Sequence, residues 1–229
     1  KYKNKIINIH IQDPKVSLNN FDFIVVPEHD GLIGKNVLTS KGAIHYLTND
    51  ELEQNESYLK SRVDNQKKIV TLIIGGPNKY YSYDDKTIDK LFVKIENNFI
   101  KKNYQAIIIP SMRTPKRIID LANKEFLSDG YVVNSVDRQA YLASLALANK
   151  IVVTCDSTSM ISEAAASGKP IFVAHMQPKM NNYRFERFFH LFREMGITRN
   201  LEEKDENWSY KYFNEAERIA PMIHSKLSN

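Results

Sequence analysis

Short apolar runs that alternate with helical stretches constrain the fold of this chain more than any other feature. Runs rich in Val and Ile, separated by helical patterns of about 10–15 residues, favour a doubly wound parallel sheet of an α/β protein. The predicted strands are Ile6–Ile11, Phe23–Val26, Asn36–Leu38, Ile69–Ile74, Ala106–Ile109, Tyr131–Asn134, Ile151–Thr154 and Ile171–Ala174. The predicted helices are Asn49–Asp64, Asp85–Lys101, Pro115–Glu125, Arg138–Ala148, a helix opening at Ser159, Arg184–Met195 and Asn214–Leu227.

Composition favours a soluble globular protein. The 229 residues are 42% hydrophobic and 26% charged, which is enough to bury one large core or two modest ones. The net charge of +5 is modest, so we predict no nucleic-acid partner, although an anionic substrate or membrane surface stays compatible. No apolar run approaches the roughly 20 residues that a transmembrane helix needs, and no secretory signal is visible. The single cysteine, Cys155, fits a reducing, cytoplasmic compartment, and we expect it to be a small core residue rather than a nucleophile.

The stretch DSTSMISEAAASGKP, from Asp156 to Pro170, carries the strongest functional signal. It follows a buried strand, opens with four residues of the N-cap type and continues into an Ala-rich helix that ends at Gly168. A hydroxyl-rich turn at such a helix N-terminus can bind an anion. Glu163 lies in the first turns of the helix, where its carboxylate could accept two hydrogen bonds from a diol. The alternative is a capped helix with a surface Glu.

Four loops should meet at the carboxyl edge of the predicted sheet. They are Gly75–Asn78, Ser111–Thr114, Ser135–Asp137 and Asp156–Ser159. Gly75 and Gly76 permit positive φ and a close approach of the backbone to a ligand, although a glycine pair on its own more often marks only a tight turn. Arg113 is placed to pair with a diphosphate through its planar fork. The convergence of the loops is a stronger signal than any one of them.

Three ionisable residues follow the strand Phe23–Val26. Glu28, His29 and Asp30 could supply a general base or bind a polar acceptor, and a solvated acidic loop is the alternative. The chain has no pair of His at helical spacing and no Asp-x-Asp element, so we predict no metal site and no cofactor.

Several long segments resemble one family. They are FDFIVVPEHDGLIGKNVLTSKGAIH (residues 21–45), GGPNKYY (75–81), PSMRTP (110–115), SEAAASGKP (162–170) and RFERFFHLFREMGITR (184–199). Together they resemble the mitochondrial-fission (elongated mitochondria) family of plants and α-proteobacteria, whose bacterial members are regarded as GT-B glycosyltransferases. The segment SEAAASGKP is similar to the donor-binding helix of that class, in which a Glu holds the ribose hydroxyls of a nucleotide sugar.

The resemblance implies a GT-B-like fold and a metal-independent glycosyltransferase that moves a sugar from a nucleoside-diphosphate sugar to an unknown acceptor, such as a membrane-associated glycan or lipid. A nucleotide-sugar epimerase and a non-catalytic, fission-type adaptor at a membrane are the alternatives. The predicted catalytic residues are Glu28, His29 and Asp30. The predicted donor-binding residues are Gly75, Gly76, Pro77, Asn78, Ser111, Arg113, Thr114, Asp156, Ser157, Thr158, Ser159, Met160 and Glu163.

The GT-B class also implies two Rossmann-type domains. We predict a partial N-terminal, acceptor-side domain over residues 1–66 and a nucleotide-sugar domain over residues 67–229. The first domain lacks the opening strand and Gly-rich turn of that class, so the chain is expected to start inside it. The terminal helix should cross back to the first domain. The helix Arg184–Met195 carries four Phe on one face, which we expect to pack between the domains rather than to dock on a membrane or partner.

Overall fold

Three short parallel strands begin the described part of this computed structural model, which comprises residues 6–203 and 207–227. They are β1 (Ile9–Ile11), β2 (Phe23–Pro27) and β3 (Val37–Ser40), with β2 in the centre. Every residue of β2 is buried, as expected for an apolar strand that is covered on both faces. The first strand is shorter than predicted because Asn8 turns its backbone N–H to the Asp22 carboxylate at 2.9 Å.

A second, larger sheet contains six parallel strands. The strands that follow β3 in the chain are β4 (Lys68–Ile74), β5 (Tyr81–Ser82), β6 (Tyr104–Pro110), β7 (Gly130–Val132), β8 (Lys150–Thr154), β9 (Ile171–Ala174), β10 (Gln177–Pro178) and β11 (Thr198–Asn200). The order in the large sheet is β11-β9-β8-β4-β6-β7, whereas β5 and β10 form a separate antiparallel pair. Chain reversal beside β4 is the arrangement of a doubly wound sheet, which places the ends of β4 and β8 beside a crevice.

Eight helices lie between and after these strands in the described residues. They are α1 (Asn49–Asn55), α2 (Ser57–Lys60), α3 (Asp85–Asn98), α4 (Lys116–Glu125), α5 (Arg138–Leu147), α6 (Thr158–Ala165), α7 (Tyr183–Glu194) and α8 (Glu215–Leu227). The predicted helix Asn49–Asp64 is two helices, and its N-cap is Thr48, whose side chain accepts from Glu51 N–H at 3.2 Å. The apolar stripe of α3 is buried and consists of Ile88, Leu91, Phe92 and Ile95.

Two clusters of buried side chains divide the molecule. The large one fills the space around the six-stranded sheet, and the small one joins Phe23, Val25 and Leu38 to Ile219. Ile219 belongs to α8, so the last helix packs against the small sheet. The Phe face of α7 is also buried: Phe188 meets the ring of His29 edge-on, with 5.1 Å between the ring centroids. This face therefore joins the two parts of the molecule.

The segment between the two sheets packs with the larger one. Leu47, Leu52 and Leu59 belong to the large core, and α1 and α2 lie against α5. A division between residues 66 and 67 remains a prediction. We propose that the segment beginning at Leu47 belongs to the second domain, because its buried leucines have their apolar neighbours there.

Candidate functional site

The carboxyl ends of β4 and β8 are joined through one buried carboxylate. The side chain of Asp156 has no exposed surface. It accepts hydrogen bonds from Gly76 N–H (3.2 Å), Thr154 Oγ1 (2.7 Å) and Arg113 Nη2 (2.6 Å), and from the hydroxyl of Tyr83. A carboxylate with this many donors has little capacity left for a ligand. Asp156 therefore holds the loops in place, which differs from its predicted contact with the donor.

The glycine pair after β4 packs closely against Asp156 and the backbone of Arg113. Neither Gly75 nor Gly76 has a positive φ, a conformation that the described glycines adopt at Gly31, Gly168 and Gly196. A Cβ on Gly75 would lie 2.1 Å from Asp156 Oδ1, and a Cβ on Gly76 would lie 2.0 Å from the carbonyl oxygen of Arg113. The close approach predicted for a ligand is thus made by the protein itself.

The residues around this pair also fold the loops. Pro77 is exposed, whereas the Asn78 side chain accepts from the backbone N–H groups of Tyr80 (2.8 Å) and Tyr81 (2.9 Å). Thr114 Oγ1 lies 2.7 Å from the carbonyl oxygens of Ile74 and Gly75 and accepts from Ser111 N–H at 2.8 Å. These predicted donor residues converge as expected, but their polar side-chain atoms are bonded mainly to the backbone.

Arg113 is paired within the protein and is also partly exposed to solvent. Its guanidinium pairs with Asp156, so part of its charge is balanced within the protein. Its side chain is still 43% exposed, so it could meet an anion arriving from solvent. It lines neither of the two cavities described below. The sequence placed Arg113 correctly at the sheet edge and missed its carboxylate partner.

Helix α6 begins at Thr158, and Ser157 is its N-cap. The Ser157 hydroxyl accepts a hydrogen bond from Met160 N–H at 3.3 Å. Thr158 and Ser159 occupy the first turn and face a cleft between the small sheet and α6. The N-terminus of α6, which is the positive end of the helix dipole, therefore lies at this cleft. An anion site at this position remains a prediction.

The cleft has a volume of about 520 Å³. Its small-sheet side includes Ile11, Val25 and Asp30, and its large-sheet side includes the first turns of α6. Charged side chains line it on both sides, and they are Asp13, Lys15, Asp30, Lys79, Glu163 and Arg184. Lys79, which sequence analysis did not single out, has no carboxylate partner in the described chain and lies 4.6 Å from the ring centroid of Tyr80. Its only sequence signal is its place in GGPNKYY, directly after the turn.

A second, smaller cavity of about 220 Å³ lies on the other side of Glu163. Its walls are mostly apolar and come from the ends of β4 and β6, the start of α5, helix α6 and the segment before α1. The apolar side chains include Tyr46, Ile73, Ile109, Pro110, Val136 and Met160. Ser111 also contributes to it. Met160 was predicted as a donor contact, and the structure places it here rather than in the cleft.

Glu163 lines both cavities. Its carboxylate accepts a hydrogen bond from the Tyr141 hydroxyl at 2.9 Å. No sequence pattern indicated Tyr141 as a partner. Burial raises the pKa of Glu163, and burial with the nearby carboxylate raises the pKa of Tyr141 well above its usual value. Tyr141 therefore remains a hydrogen-bond donor. The second oxygen of the Glu163 carboxylate makes no hydrogen bond with the described residues.

The three predicted catalytic residues form a 3-10 turn, Glu28–Asp30, in which His29 Nε2 lies 3.8 Å from Asp30 Oδ1. Glu28 is exposed and pairs with Lys41 at 2.6 Å. His29 is buried, and its ring nitrogens have no hydrogen-bond partner in the described chain. Burial lowers the pKa of His29 to about 4. Only Asp30, which pairs with Arg184, lines the cleft, so the three do not form one acid–base group.

Cys155 is a core residue, as predicted. Its thiol is fully buried, and its sulfur accepts from Met176 N–H at 3.3 Å. Burial raises the pKa of this thiol to about 12, so a reactive thiolate is disfavoured. The described residues 6–203 and 207–227 contain no group of three or more His, Cys, Asp or Glu side chains that could hold a metal ion.

The sequence is similar to a known family and to proteins from a plant and a bacterium. The family model described as Mitochondrial fission ELM1 matches residues 1–227. The Mitochondrial fission protein ELM1 of Arabidopsis thaliana is 26% identical over 250 residues, which cover 96% of this chain and 58% of that protein. An uncharacterized protein of Rickettsia prowazekii (strain Madrid E) is 27% identical over 259 residues, which cover 96% of this chain and 72% of that protein. The chain thus spans just under three fifths of the Arabidopsis relative.

Among solved structures, a UDP-GlcNAc 2-epimerase from Neisseria meningitidis, bound to UDP-GlcNAc, matches with a TM-score of 0.52 at 14% identity. The match covers 91% of this chain and 62% of the epimerase chain. At this identity the likeness shows the fold alone, and it confirms the predicted GT-B-like α/β fold. None of the helices within residues 6–203 and 207–227 is long and apolar enough to cross a membrane.

Proposed function

The chain belongs to the mitochondrial fission ELM1 family, and from this membership and the site geometry we propose that it binds a nucleoside-diphosphate sugar and transfers the sugar to an acceptor. The observation that carries the proposal is the position of Glu163. Its carboxylate lies between a charged cleft of about 520 Å³ and an apolar pocket of about 220 Å³. A nucleotide sugar has the same sequence of parts: a flat apolar base, a ribose diol, and then a charged diphosphate with a polar sugar.

The parts of the donor follow this order. The base enters the apolar pocket, where Ile73, Ile109 and Pro110 can pack against it. The ribose hydroxyls donate to Glu163, whose carboxylate Tyr141 orients from the protein side. A carboxylate that accepts two hydroxyls makes charge-assisted hydrogen bonds, which are the stronger kind.

The diphosphate then lies in the cleft beside the first turn of α6. Thr158 and Ser159 present hydroxyl and backbone N–H groups there. Lys79 and Arg184 supply positive charge from the opposite walls. These groups stabilise the nucleoside diphosphate as it leaves, which is the role that a metal ion takes in other enzymes. Metal independence is part of the proposal.

Asp30 is the carboxylate that we assign to the acceptor side. It is held by Arg184 and lies on the small-sheet wall of the cleft. In the transfer step it accepts the proton of the attacking acceptor hydroxyl, while the bond between the sugar and the diphosphate breaks. The acceptor is proposed to be a glycan or lipid at the cytoplasmic surface of a membrane, which a net charge of +5 favours electrostatically.

An epimerase remains the second candidate. Two carboxylates, Asp13 and Asp30, line the small-sheet side of the same cleft, and proton transfer at a sugar carbon needs acid–base groups of this kind. Incubation of the protein with a nucleotide sugar and no acceptor separates the two reactions. An epimerase converts the sugar under these conditions, a transferase needs the acceptor, and an adaptor does neither.

Thermal unfolding with a ligand panel tests the donor site. Uridine, guanosine and adenosine diphosphates and their sugars are added in EDTA, with pyrophosphate and the free nucleosides as matched controls. A ligand that binds only the folded state stabilises it, by about 2.7 kcal/mol at 100 times its Kd. We expect a concentration-dependent rise of the midpoint with at least one nucleoside diphosphate. No response to any nucleotide, or a response that strictly requires Mg²⁺, contradicts the proposal.

A further inference from the structure

Tyr46 is an exposed aromatic residue at the mouth of the apolar pocket. It belongs to the segment that joins β3 to α1, and its side chain is 58% exposed. The guanidinium of Arg138 lies over the ring, 4.5 Å from its centroid. Both side chains line the apolar pocket. An aromatic ring that is exposed beside an apolar cavity offers a face on which a planar ligand can stack.

The same short segment touches both cavities. Ala43 and Ile44 line the cleft, whereas Tyr46 lines the pocket. The segment is fixed to the second sheet by a hydrogen bond of 3.0 Å from Ala43 N–H to Ser162 Oγ on α6. The next residue after Tyr46, Leu47, is buried in the large core. Tyr46 therefore lies between two fixed positions, Ala43 and Leu47.

The geometry of the pocket selects a flat ligand. Its walls combine aliphatic side chains from the strand ends with the rings of Tyr46 and Tyr141 and the guanidinium plane of Arg138. Aromatic rings and guanidinium groups both stack on planar heterocycles, and base–aromatic stacking tolerates different bases because every base has a π-face. Arg138 is also paired with Glu51 at 2.5 Å, which fixes the orientation of its plane.

We propose that Tyr46 is a specificity-determining residue, which stacks on the nucleobase in the apolar pocket and so ties base binding to the segment between the two sheets. This inference rests on the proposed function, since it assumes that the pocket takes the base of a nucleotide. It adds that a residue outside the large sheet distinguishes a nucleotide from a bare diphosphate.

Calorimetric titration of three variants with two probes tests the inference. The variants are Tyr46→Ala, Tyr46→Phe and, as a matched control, Tyr183→Ala, which removes a tyrosine that is 68% exposed and lines neither cavity. The probes are the tightest of the uridine, guanosine and adenosine diphosphates, and pyrophosphate. We expect Tyr46→Ala to weaken nucleotide binding about 10-fold and to leave pyrophosphate binding unchanged. Tyr46→Phe and Tyr183→Ala should bind both probes like the original protein.

Two results overturn the inference and leave the proposed function intact. One is equal nucleotide affinity in Tyr46→Ala and the original protein. The other is an equal loss for nucleotide and pyrophosphate, which indicates a general disturbance of the site. If the original protein binds none of the three nucleoside diphosphates, the inference and the proposed function both fail. Thermal midpoints of the variants check the fold, and we expect them to agree because the Tyr46 side chain is largely exposed.

Discussion

Arg113 donates a hydrogen bond to the buried carboxylate of Asp156, with 2.6 Å between Arg113 Nη2 and Asp156 Oδ2. The two residues lie at the ends of different strands, β6 and β8, and their ion pair closes the carboxyl edge of the large sheet. Asp156 has no exposed surface and further donors in Tyr83, Thr154 and Gly76. Arg113 is half in solvent, so the two partners are not equivalent.

This asymmetry predicts unequal losses of stability. Removing one partner of a buried ion pair costs about 3–5 kcal/mol, and Asp156→Ala should fall in that range because several buried donors lose their acceptor. Arg113→Ala should cost less, since Asp156 keeps its other donors. Denaturant unfolding of both variants measures the free energies. A larger loss for Arg113→Ala would show that the guanidinium, and not the carboxylate, holds the loops together.

Gly76 should tolerate no side chain. A Cβ there would lie 2.0 Å from the backbone carbonyl oxygen of Arg113, and backbone atoms cannot move aside cheaply. We expect Gly76→Ala to be strongly destabilising, by more than about 3 kcal/mol, as are other forced changes of packing. Gly168→Ala is the matched control. Gly168 has φ +67° and no atom within 4 Å of an added Cβ, so only backbone strain of about 1–2 kcal/mol applies. Equal unfolding midpoints for the two variants would contradict this account.

The regular elements were predictable because their signals are local. Apolar β-branched runs gave the strands β4, β6, β8 and β9, and the stripe of Ile88, Leu91 and Ile95 gave α3. The strand β11 was not predicted because it is a polar edge strand, Thr-Arg-Asn, with no apolar run. The antiparallel pair of β5 and β10 was not predicted because each strand contributes only two residues.

The convergence of the loops was predictable, whereas the contacts of their polar atoms were not. Loops that follow parallel strands meet at one edge of the sheet, so the alternation of strands and helices was enough to predict their convergence. Which polar atoms face a ligand depends on contacts between residues 40 to 80 positions apart, such as Gly76 with Asp156 (80 apart) and Arg113 with Asp156 (43 apart). His29 and Asp30 are neighbours in sequence, yet packing of Phe188 buries one and leaves the other in the cleft. No periodicity carries that information.

Stability should fall as the pH is lowered from about 6.5 toward 4. Burial lowers the pKa of His29 to about 4 and lowers that of His45, so the unfolded chain binds protons first. The slope can reach about 1.4 kcal/mol per pH unit for each such group. Around His29, Asp30 opposes the shift, whereas Arg184 and Arg187 reinforce it. Both histidines lie where the small sheet meets the rest, so acid should loosen that junction.

Replacing His29 by Phe isolates its share of this slope. The ring keeps its edge-on contact with Phe188, and no titratable group remains. Unfolding in denaturant at pH 7 and pH 5 should show a smaller pH effect in His29→Phe than in the original protein. His190→Ala is the control, because the side chain of His190 is 72% exposed. An unchanged pH effect in His29→Phe rules out His29 as a source of the slope.

The position of Leu47, Leu52 and Leu59 in the large core predicts where the chain can be divided. A fragment of residues 46–229 keeps these leucines, whereas a fragment of residues 67–229 loses them and uncovers the face of α5. Each buried Leu contributes about 1.5–3 kcal/mol, so the longer fragment should be clearly more stable. Ile219 loses its small-sheet partners in both fragments, which makes them a matched pair. Equal thermal midpoints would restore a boundary near residue 66.

Glu163→Gln is the sharpest test of the donor site. Gln keeps the size of the side chain and one acceptor, but it loses the charge that strengthens each hydrogen bond with a ribose hydroxyl, worth about 1.5–3 kcal/mol. Nucleotide affinity should therefore fall by about one to two powers of ten. Fold stability should change little, because burial already disfavours the charged form and raises the pKa of Glu163.

The pH dependence of nucleotide binding gives a second readout for Glu163. Because its pKa is raised, protonation of the carboxylate should weaken binding as the pH falls, and the Gln variant should lack this effect. Tyr141→Phe is the matched control, since it removes the hydroxyl that donates to Glu163 and keeps the ring. We expect it to cause a smaller loss of affinity, because the carboxylate stays and only its orientation is relaxed. Calorimetric titration of the three proteins with the tightest nucleoside diphosphate measures these affinities. Unchanged affinity in Glu163→Gln would show that Glu163 does not bind the ribose, and the GT-B-like fold would then lack its proposed donor contact.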